Sequence, residues 1–135
     1  MTTANTAAHT TADANANAKA TQVLGGLLQE WQSRFNEPDP ERAAALFTED
    51  ALFQGLFPDP VTGPGSIAGY YRQVPPGTRA VARVLHAYRG GDDWIGGLAQ
   101  VVFHQHDGDI PVRLSLVAVR ADAGWRIRQY HVSRL

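Results

Sequence analysis

Residues 79–134 decide the fold, and they read RAVARVLHAYRGGDDWIGGLAQVVFHQHDGDIPVRLSLVAVRADAGWRIRQYHVSR. Four parts of this stretch are rich in Val, Ile, Leu, Phe and Tyr, which is typical of β-strands. The predicted strands cover residues 79–89, 94–106, 110–121 and 125–134. Short, turn-like joins rich in Gly and Asp separate them, so neighbouring strands are predicted to be antiparallel.

Helical signals precede this stretch. Apolar residues fall on one face of a first helix, at Leu24, Leu27, Leu28, Trp31 and Phe35. A second, short helix is predicted from Asp39, a capping residue that precedes Pro40, to about Phe47. A short strand at 51–53, a loop at 55–65 and a third helix at 66–73 follow. Helices followed by a meander predict an α+β fold, with three N-terminal helices packed on one face of a curled, mostly antiparallel sheet.

Composition limits the classes of function. The 135 residues suit one domain, and the formal net charge of -1 argues against nucleic-acid binding. The absence of cysteine excludes thiol nucleophiles and cysteine metal sites. No apolar run approaches the roughly 20 residues of a membrane helix. Residues 1–18 are predicted to be a flexible, disordered tail without a secretory signal, residues 19–135 the domain, and the protein cytoplasmic.

Three motifs carry a resemblance to a known family. They are Leu46–Ala51, then Gly63 with Ile67 and Tyr70-Tyr71, and the closing Gly124-Trp125-Arg126-Ile127 with His131-Val132-Ser133. From Ala20 to Leu135 the chain resembles the nuclear-transport-factor-2-like superfamily, and within it the SnoaL-like and SgcJ/EcaC-type domains. The resemblance implies a cone-shaped half-barrel with a cavity between helices and sheet, and a homodimer through the outer sheet face.

The function that the resemblance implies is broad. Relatives include isomerases, dehydratases, polyketide cyclases, epoxide hydrolases and non-catalytic assembly domains, and fold alone does not choose among them. The steroid-isomerase branch uses a tyrosine and two acids, and the matching positions hold Trp31, Gly55 and Ala118. That mechanism needs a base and an oxyanion donor, so we exclude it.

Few residues remain as candidates for catalysis or metal binding. Asp50 is interpreted as a turn-fixing residue rather than a base. His104 and His106 share a strand face, but a metal site needs three or four converging ligands, with His86 or His131 as the third here. We therefore predict no metal, and place His104 alone in the cavity. Because the sequence has no phosphate-binding loop or dinucleotide fingerprint, no cofactor is predicted either.

Two orientations of the last strand, which differ in the side chains that point into the cavity, fit the sequence. Strict alternation with Trp125 and Ile127 places His131 inside, and this is the preferred prediction. A bulge would instead turn Tyr130 and Val132 inward. The best catalytic candidates are thus His104, His131 and Tyr70. The predicted ligand-binding set is Trp31, Phe35, Phe53, Gln54, Tyr70, Tyr71, Leu98, Gln100, His104, Tyr130 and His131.

Three hypotheses for function follow from the predicted aromatic pocket and from the family resemblance. The first is a protein of secondary metabolism that holds an apolar polyketide or polyene intermediate, as the resemblance to enediyne-cluster domains implies. The second is an acid–base enzyme, such as a cyclase, isomerase or hydrolase, that uses the pocket histidines and tyrosines. The third is a non-catalytic oligomerisation module.

Overall fold

The computed structural model describes residues 3–135, with side chains from Asp13 onward. Its elements are, in chain order, helix α1 (Thr3–Asn36), helix α2 (Pro40–Ala44), strand β1 (Phe47–Gln54), strand β2 (Val61–Thr62), helix α3 (Gly63–Arg72) and strands β3 (Arg79–Arg89), β4 (Trp94–Gln105), β5 (Gly108–Ala121) and β6 (Gly124–Arg134). All four predicted long strands are present, and their bounds lie within two residues of the predicted ones.

The six strands form one open, mixed sheet in the order β2-β1-β6-β5-β4-β3. Strands β3 to β6 are the predicted antiparallel meander. Strand β1 lies parallel to β6 and antiparallel to β2. A parallel neighbour requires a long connection, and here the connection from β1 to β6 contains α3 and four strands. The chain is therefore α+β, with a helix packed on a sheet whose two edges do not meet.

Helix α1 packs its apolar stripe on this sheet. Its five predicted core residues are all buried, which confirms the periodicity: Leu24, Leu27, Leu28, Trp31 and Phe35. Polar side chains of α1 also bind the backbone of the edge strand β3. Asn36 donates to the carbonyl oxygen of Ala80 at 2.9 Å and accepts from its amide at 2.7 Å. These bonds occupy backbone groups that an edge strand otherwise leaves unpaired.

Local sequence signals set the starts of the two shorter helices. At α2, the Asp39 carboxylate accepts a bond from the amide of Arg42 at 3.1 Å, so the predicted cap is confirmed. Helix α3 begins earlier than predicted, at Gly63, because Pro64 suits its first turn. Gly63 has a φ of 81°, a conformation that favours glycine.

Strand β6 contains a bulge, and after it the other set of alternating side chains points into the core. Val117 pairs with Gln129, but the next residue of β5, Ala118, pairs with Ile127, so Arg128 is an extra residue. Ile127 and Tyr130 are consequently both buried, although they are three positions apart. The preferred prediction that His131 points inward is wrong: His131 is exposed, because the bulge breaks strict alternation.

Helix α1 runs through the predicted boundary between tail and domain. Residues 3–18 are helical in the structure, whereas the sequence predicts a flexible tail there. Asn17 accepts a bond from the amide of Arg89 at 3.2 Å, and Ala20 is buried. Met1 and Thr2 lie outside the described residues. The division into a tail over 1–18 and a domain over 19–135 stays a prediction.

Candidate functional site

A cavity of about 390 Å³ lies between the helices and the inner face of the sheet. Its lining residues are Phe35, Leu56, Phe57, Tyr70, Tyr71, Gln73, Val74, Pro75, Thr78, Phe103, Gln105, Ile110, Tyr130, Val132 and Arg134. Most of these are apolar or aromatic. Arg134, an exposed residue, is the one charged member of this lining, which includes no Asp, Glu, His or Lys. The cavity therefore suits an apolar molecule better than a charged one.

Three tyrosines of the lining surround the buried ring of Phe53. The Phe53 ring stacks on Tyr130, with 4.3 Å between centroids and 5° between planes. Tyr70 and Tyr71 meet the same ring edge-on, at centroid distances of 4.8 Å and 5.5 Å. Such aromatic contacts hold the rings in fixed orientations. The three hydroxyl groups are thus carried on a rigid aromatic cluster.

Two of the three tyrosine hydroxyls accept hydrogen bonds from the protein. The indole Nε1 of Trp31 donates to the Tyr71 hydroxyl at 2.8 Å, and the amide of Leu56 donates to the Tyr70 hydroxyl at 2.7 Å. Within residues 13–135, no side chain or backbone group bonds to the hydroxyl of Tyr130. Since no buried side-chain polar atom of the described residues lacks a partner, the Tyr130 oxygen must reach the open space of the cavity.

Burial raises the pKa of all three tyrosines above the ordinary value of 10.0. Loss of hydration is the largest cause in each case. The Trp31 bond partly offsets it at Tyr71, and the Leu56 bond partly offsets it at Tyr70. Because each hydroxyl keeps its proton, these groups are hydrogen-bond donors to a ligand rather than bases.

Gly55 makes room for Tyr70. A Cβ atom at position 55 would overlap the ring and the hydroxyl of Tyr70. Glycine thus lets the tyrosine lie against the backbone that follows β1, where its oxygen meets the amide of Leu56. Position 55 is therefore a contact surface for the tyrosine ring.

The structure brings together six of the predicted site residues. Phe35, Tyr70, Tyr71 and Tyr130 line the cavity. Trp31 and Phe53 are buried directly behind these residues, and contact them through the Tyr71 bond and the ring stack. Five predicted residues lie elsewhere: Gln54, Leu98, Gln100, His104 and His131.

The prediction that His104 lines the cavity is wrong. Its side chain is 46% exposed, and Nδ1 lies 2.8 Å from a carboxylate oxygen of Asp109 across the β4–β5 pair. His131 is exposed on the same, outer face of the sheet. Among the described residues, no group of three or more His, Asp or Glu side chains is placed to hold a metal ion.

Leu98 and Gln100 also lie on the outer face of the sheet. Leu98 is 38% exposed, and the side-chain oxygen Oε1 of Gln100 accepts a bond from the Arg113 side chain at 3.4 Å. The inward residues of β4 are the alternate ones, Ala99, Val101 and Phe103, which are all buried. The prediction of Leu98 and Gln100 as cavity residues is wrong because it chose the other face of β4.

Gln54 supports a turn rather than the cavity. Its amide nitrogen donates to the carbonyl oxygens of Gly55 and Phe57, so it shapes the segment that follows β1. Asp50 is exposed and accepts a bond from the Thr48 hydroxyl at 2.8 Å. It therefore has a local structural role, and it does not line the cavity.

The sequence reasoning missed several lining residues, among them Phe103, Val132 and Arg134. For Phe103 a signal existed, since Ile95, Ala99, Val101 and Phe103 form a fully apolar alternating series. Strict alternation placed Val132 and Arg134 outside, and only the alternative of a bulge in β6, which the structure contains, turned Val132 inward.

A second crevice, of about 480 Å³, adjoins the cavity at the end of α1. Both include Phe35 and Tyr71 in their walls. The crevice is lined mainly by prolines and by charged residues such as Arg34, Asp39 and Arg79. The cavity, not the crevice, contains Tyr70 and Tyr130, so we take the cavity as the candidate site.

Comparison with known proteins places the fold. A family model described as the SnoaL-like domain matches residues 25–135. The chain belongs to this family. The predicted membership of the nuclear-transport-factor-2-like superfamily is thereby confirmed. A search of curated protein sequences found no match for this SnoaL-like domain. No helix within residues 3–135 is long and apolar enough to cross a membrane.

Solved structures share the fold at low sequence identity. A domain of unknown function with a cystatin-like fold from Nostoc punctiforme has a TM-score of 0.76 and 18% identity, over 87% of this chain and 78% of that one. A protein from Novosphingobium aromaticivorans provisionally named a scytalone dehydratase has a TM-score of 0.73 and 14% identity, over 84% and 83%. A provisionally named calcium/calmodulin-dependent protein kinase II association domain from Xanthomonas campestris has a TM-score of 0.72 and 18% identity, over 83% and 85%.

Proposed function

We propose that this SnoaL-like domain binds an apolar, aromatic or polyene small molecule in a cone-shaped cavity between its helices and its sheet. One observation carries the proposal: a cavity of about 390 Å³ whose lining is mainly aromatic and apolar, with three tyrosine hydroxyls and a single charged residue, Arg134. Ligand sites of this size are typically apolar with a few polar groups that orient the ligand.

We further propose that the domain acts in secondary metabolism. The resemblance to SgcJ/EcaC-type domains supports a polyketide or polyene intermediate as the ligand, in enediyne or polyketide biosynthesis. The similarity to a protein named as a scytalone dehydratase agrees with a fold that accommodates small organic molecules. In this role the domain holds or orients the intermediate.

Enzymatic acid–base chemistry is the alternative. Of the three catalytic candidates, Tyr70 alone lines the cavity, while His104 and His131 are on the outer face. A general base is absent from the lining, and the raised pKa of Tyr70 makes it a weak acid. If an isomerase, cyclase or hydrolase activity is detected, its rate should be unchanged by His104→Ala and His131→Ala.

Self-association through the outer sheet face is a further proposal. Large apolar side chains on β3 and β4 are exposed: Val81, Leu85, Tyr88, Trp94 and Leu98. Similarity to an association domain supports a homodimer or a larger oligomer. Analytical ultracentrifugation of the chain and of its Leu98→Arg variant tests it, because a charge on that face should shift a dimer towards the monomer.

A pair of matched variants tests the proposed cavity. Ile110 lines the cavity, whereas Leu98 points away from it on the neighbouring strand. Ile110→Trp should fill part of the cavity and weaken the binding of conjugated apolar molecules at least tenfold. Leu98→Trp should leave their affinity unchanged. Equal affinity in both variants, or no binding by the unsubstituted chain, would overturn the proposal.

A further inference from the structure

The hydroxyl protons of the cavity tyrosines have no acceptor among residues 13–135. A phenol hydroxyl has one donor and two acceptor positions. Tyr70 and Tyr71 use an acceptor position, for the bonds from Leu56 and Trp31. Within the part of the chain whose side chains are described, neither these two hydroxyls nor that of Tyr130 donates a bond. Only the Tyr130 hydroxyl makes no bond at all to this part of the chain, so its O–H group is available to a molecule in the cavity.

These donors stand in apolar surroundings. All three rings contact Phe53, and Tyr71 and Tyr130 are almost completely buried, with 7% and 3% exposure. A purely hydrocarbon ligand that displaces water from the Tyr130 hydroxyl would leave this donor unpaired, which is unfavourable. A ligand atom that accepts its proton replaces the lost water bond.

We propose that the cavity recognises its ligand through an acceptor oxygen, a ketone or quinone carbonyl on a flat apolar skeleton, which accepts a hydrogen bond from the hydroxyl of Tyr130. This inference rests on the proposed binding function and specifies the chemistry of the ligand. The apolar skeleton packs against Phe35, Phe103 and the other apolar residues of the lining. The carbonyl oxygen lies at the tyrosines.

Other ligand chemistries fit this site less well. An ammonium group would find no carboxylate among the lining residues. A carboxylate would find Arg134, but this residue is exposed, so water and salt screen its charge. A neutral acceptor matches neutral donors without the cost of burying an unpaired charge.

Two probes of similar shape, acetylnaphthalene and ethylnaphthalene, test the inference, because they differ in a single carbonyl oxygen. Ligand-observed NMR titration of the full chain measures both dissociation constants. We expect the ketone to bind at least tenfold more tightly. Tyr130→Phe removes a hydroxyl that no described residue uses, so it should reduce this preference to threefold or less without unfolding the protein. Tyr88→Phe, on the exposed outer face, should retain the preference.

The outcomes separate this inference from the proposed function. Equal affinities for the two probes would overturn the acceptor-oxygen inference and leave apolar binding intact. A ketone preference that survives in Tyr130→Phe would also overturn it, because the preference would then arise elsewhere. If neither probe binds, both the inference and the proposed function fail. Circular dichroism of each variant establishes that the fold is retained.

Discussion

The hydrogen bond between Trp31 and Tyr71 joins α1 to α3 inside the apolar core. Both side chains are buried, and the donor–acceptor distance is 2.8 Å. Tyr71→Phe would leave the indole N–H of Trp31 without a partner. We expect the free energy of unfolding to fall by about 1–3 kcal/mol, measured by urea denaturation.

Tyr88 offers a matched control for this substitution. Its side chain is 43% exposed on β3, so Tyr88→Phe removes a hydroxyl that water already solvates. We expect a change within about 0.5 kcal/mol. Equal losses of stability in the two variants would mean that the Trp31 bond adds nothing to the core.

Gly55 makes room for the Tyr70 ring, so a substitution at this position is predicted to destabilise the protein. Gly55→Ala introduces a Cβ that overlaps Tyr70, so that ring must move and its bond with Leu56 is disturbed. We expect a loss of about 1–3 kcal/mol from overpacking, by thermal or urea unfolding.

Gly26 is the control for this effect of glycine. It lies on the exposed side of α1, with nothing near the place of a Cβ. Gly26→Ala should raise stability by about 0.5–1 kcal/mol, because alanine favours the helix. A stabilising effect at both glycines would contradict the assigned position of Tyr70.

Among the elements, strand β6 shows what determines which side chains point into the core. The bulge at Arg128 places Val132 in the core and His131 in solvent, although the two are adjacent. Val132→Ser should lower the free energy of unfolding by more than about 2 kcal/mol, through lost apolar burial and a buried hydroxyl. His131→Ser should change it by less than about 0.5 kcal/mol. The reverse order in urea denaturation would mean that β6 alternates strictly.

The elements themselves could be predicted from the sequence because their signals are local. The stripe from Leu24 to Phe35, the cap at Asp39 and the glycine- and aspartate-rich turns each depend on a few neighbouring residues. The facing of β4 and β6 could not be predicted in this way. The bulge at Arg128 depends on how β6 pairs with β5, and the choice between Phe103 and His104 depends on which face α1 covers.

The same distinction explains which residues of the candidate site could be predicted from the sequence. The aromatic residues of the helices and β1 were found, since Phe35, Phe53, Tyr70 and Tyr71 carry helical or strand patterns. The polar residues that were expected beside them, His104 and His131, are on the opposite face of the sheet. A histidine in an alternating strand fits either face by pattern alone, so its position depends on tertiary packing.

At the scale of the whole molecule, the buried tyrosines predict how stability depends on pH. Their raised pKa means that the folded protein holds these protons to higher pH than the unfolded chain does. Their stabilising contribution is complete below about pH 10, the tyrosine pKa of the unfolded chain, and is lost as the pH rises further. For each of Tyr71 and Tyr130, the free energy of unfolding should fall by up to about 1.4 kcal/mol per pH unit in this range.

Urea denaturation at about pH 9 and about pH 11 measures this loss. Tyr130→Phe should make the decline shallower. A decline that is the same in both proteins would show that Tyr130 ionises as freely in the folded state as in the unfolded one.

The central claim is that this domain binds an apolar molecule between its helices and its sheet. Methyl NMR spectra during a titration with acetylnaphthalene test it most directly, because methyl groups mark both faces of the sheet. We expect the Ile110 and Val132 methyl signals, from the cavity, to shift and saturate, while those of Val81 and Leu98, on the outer face, stay unchanged. Shifts confined to Val81 and Leu98, or no shifts at the solubility limit of the probe, would contradict the account.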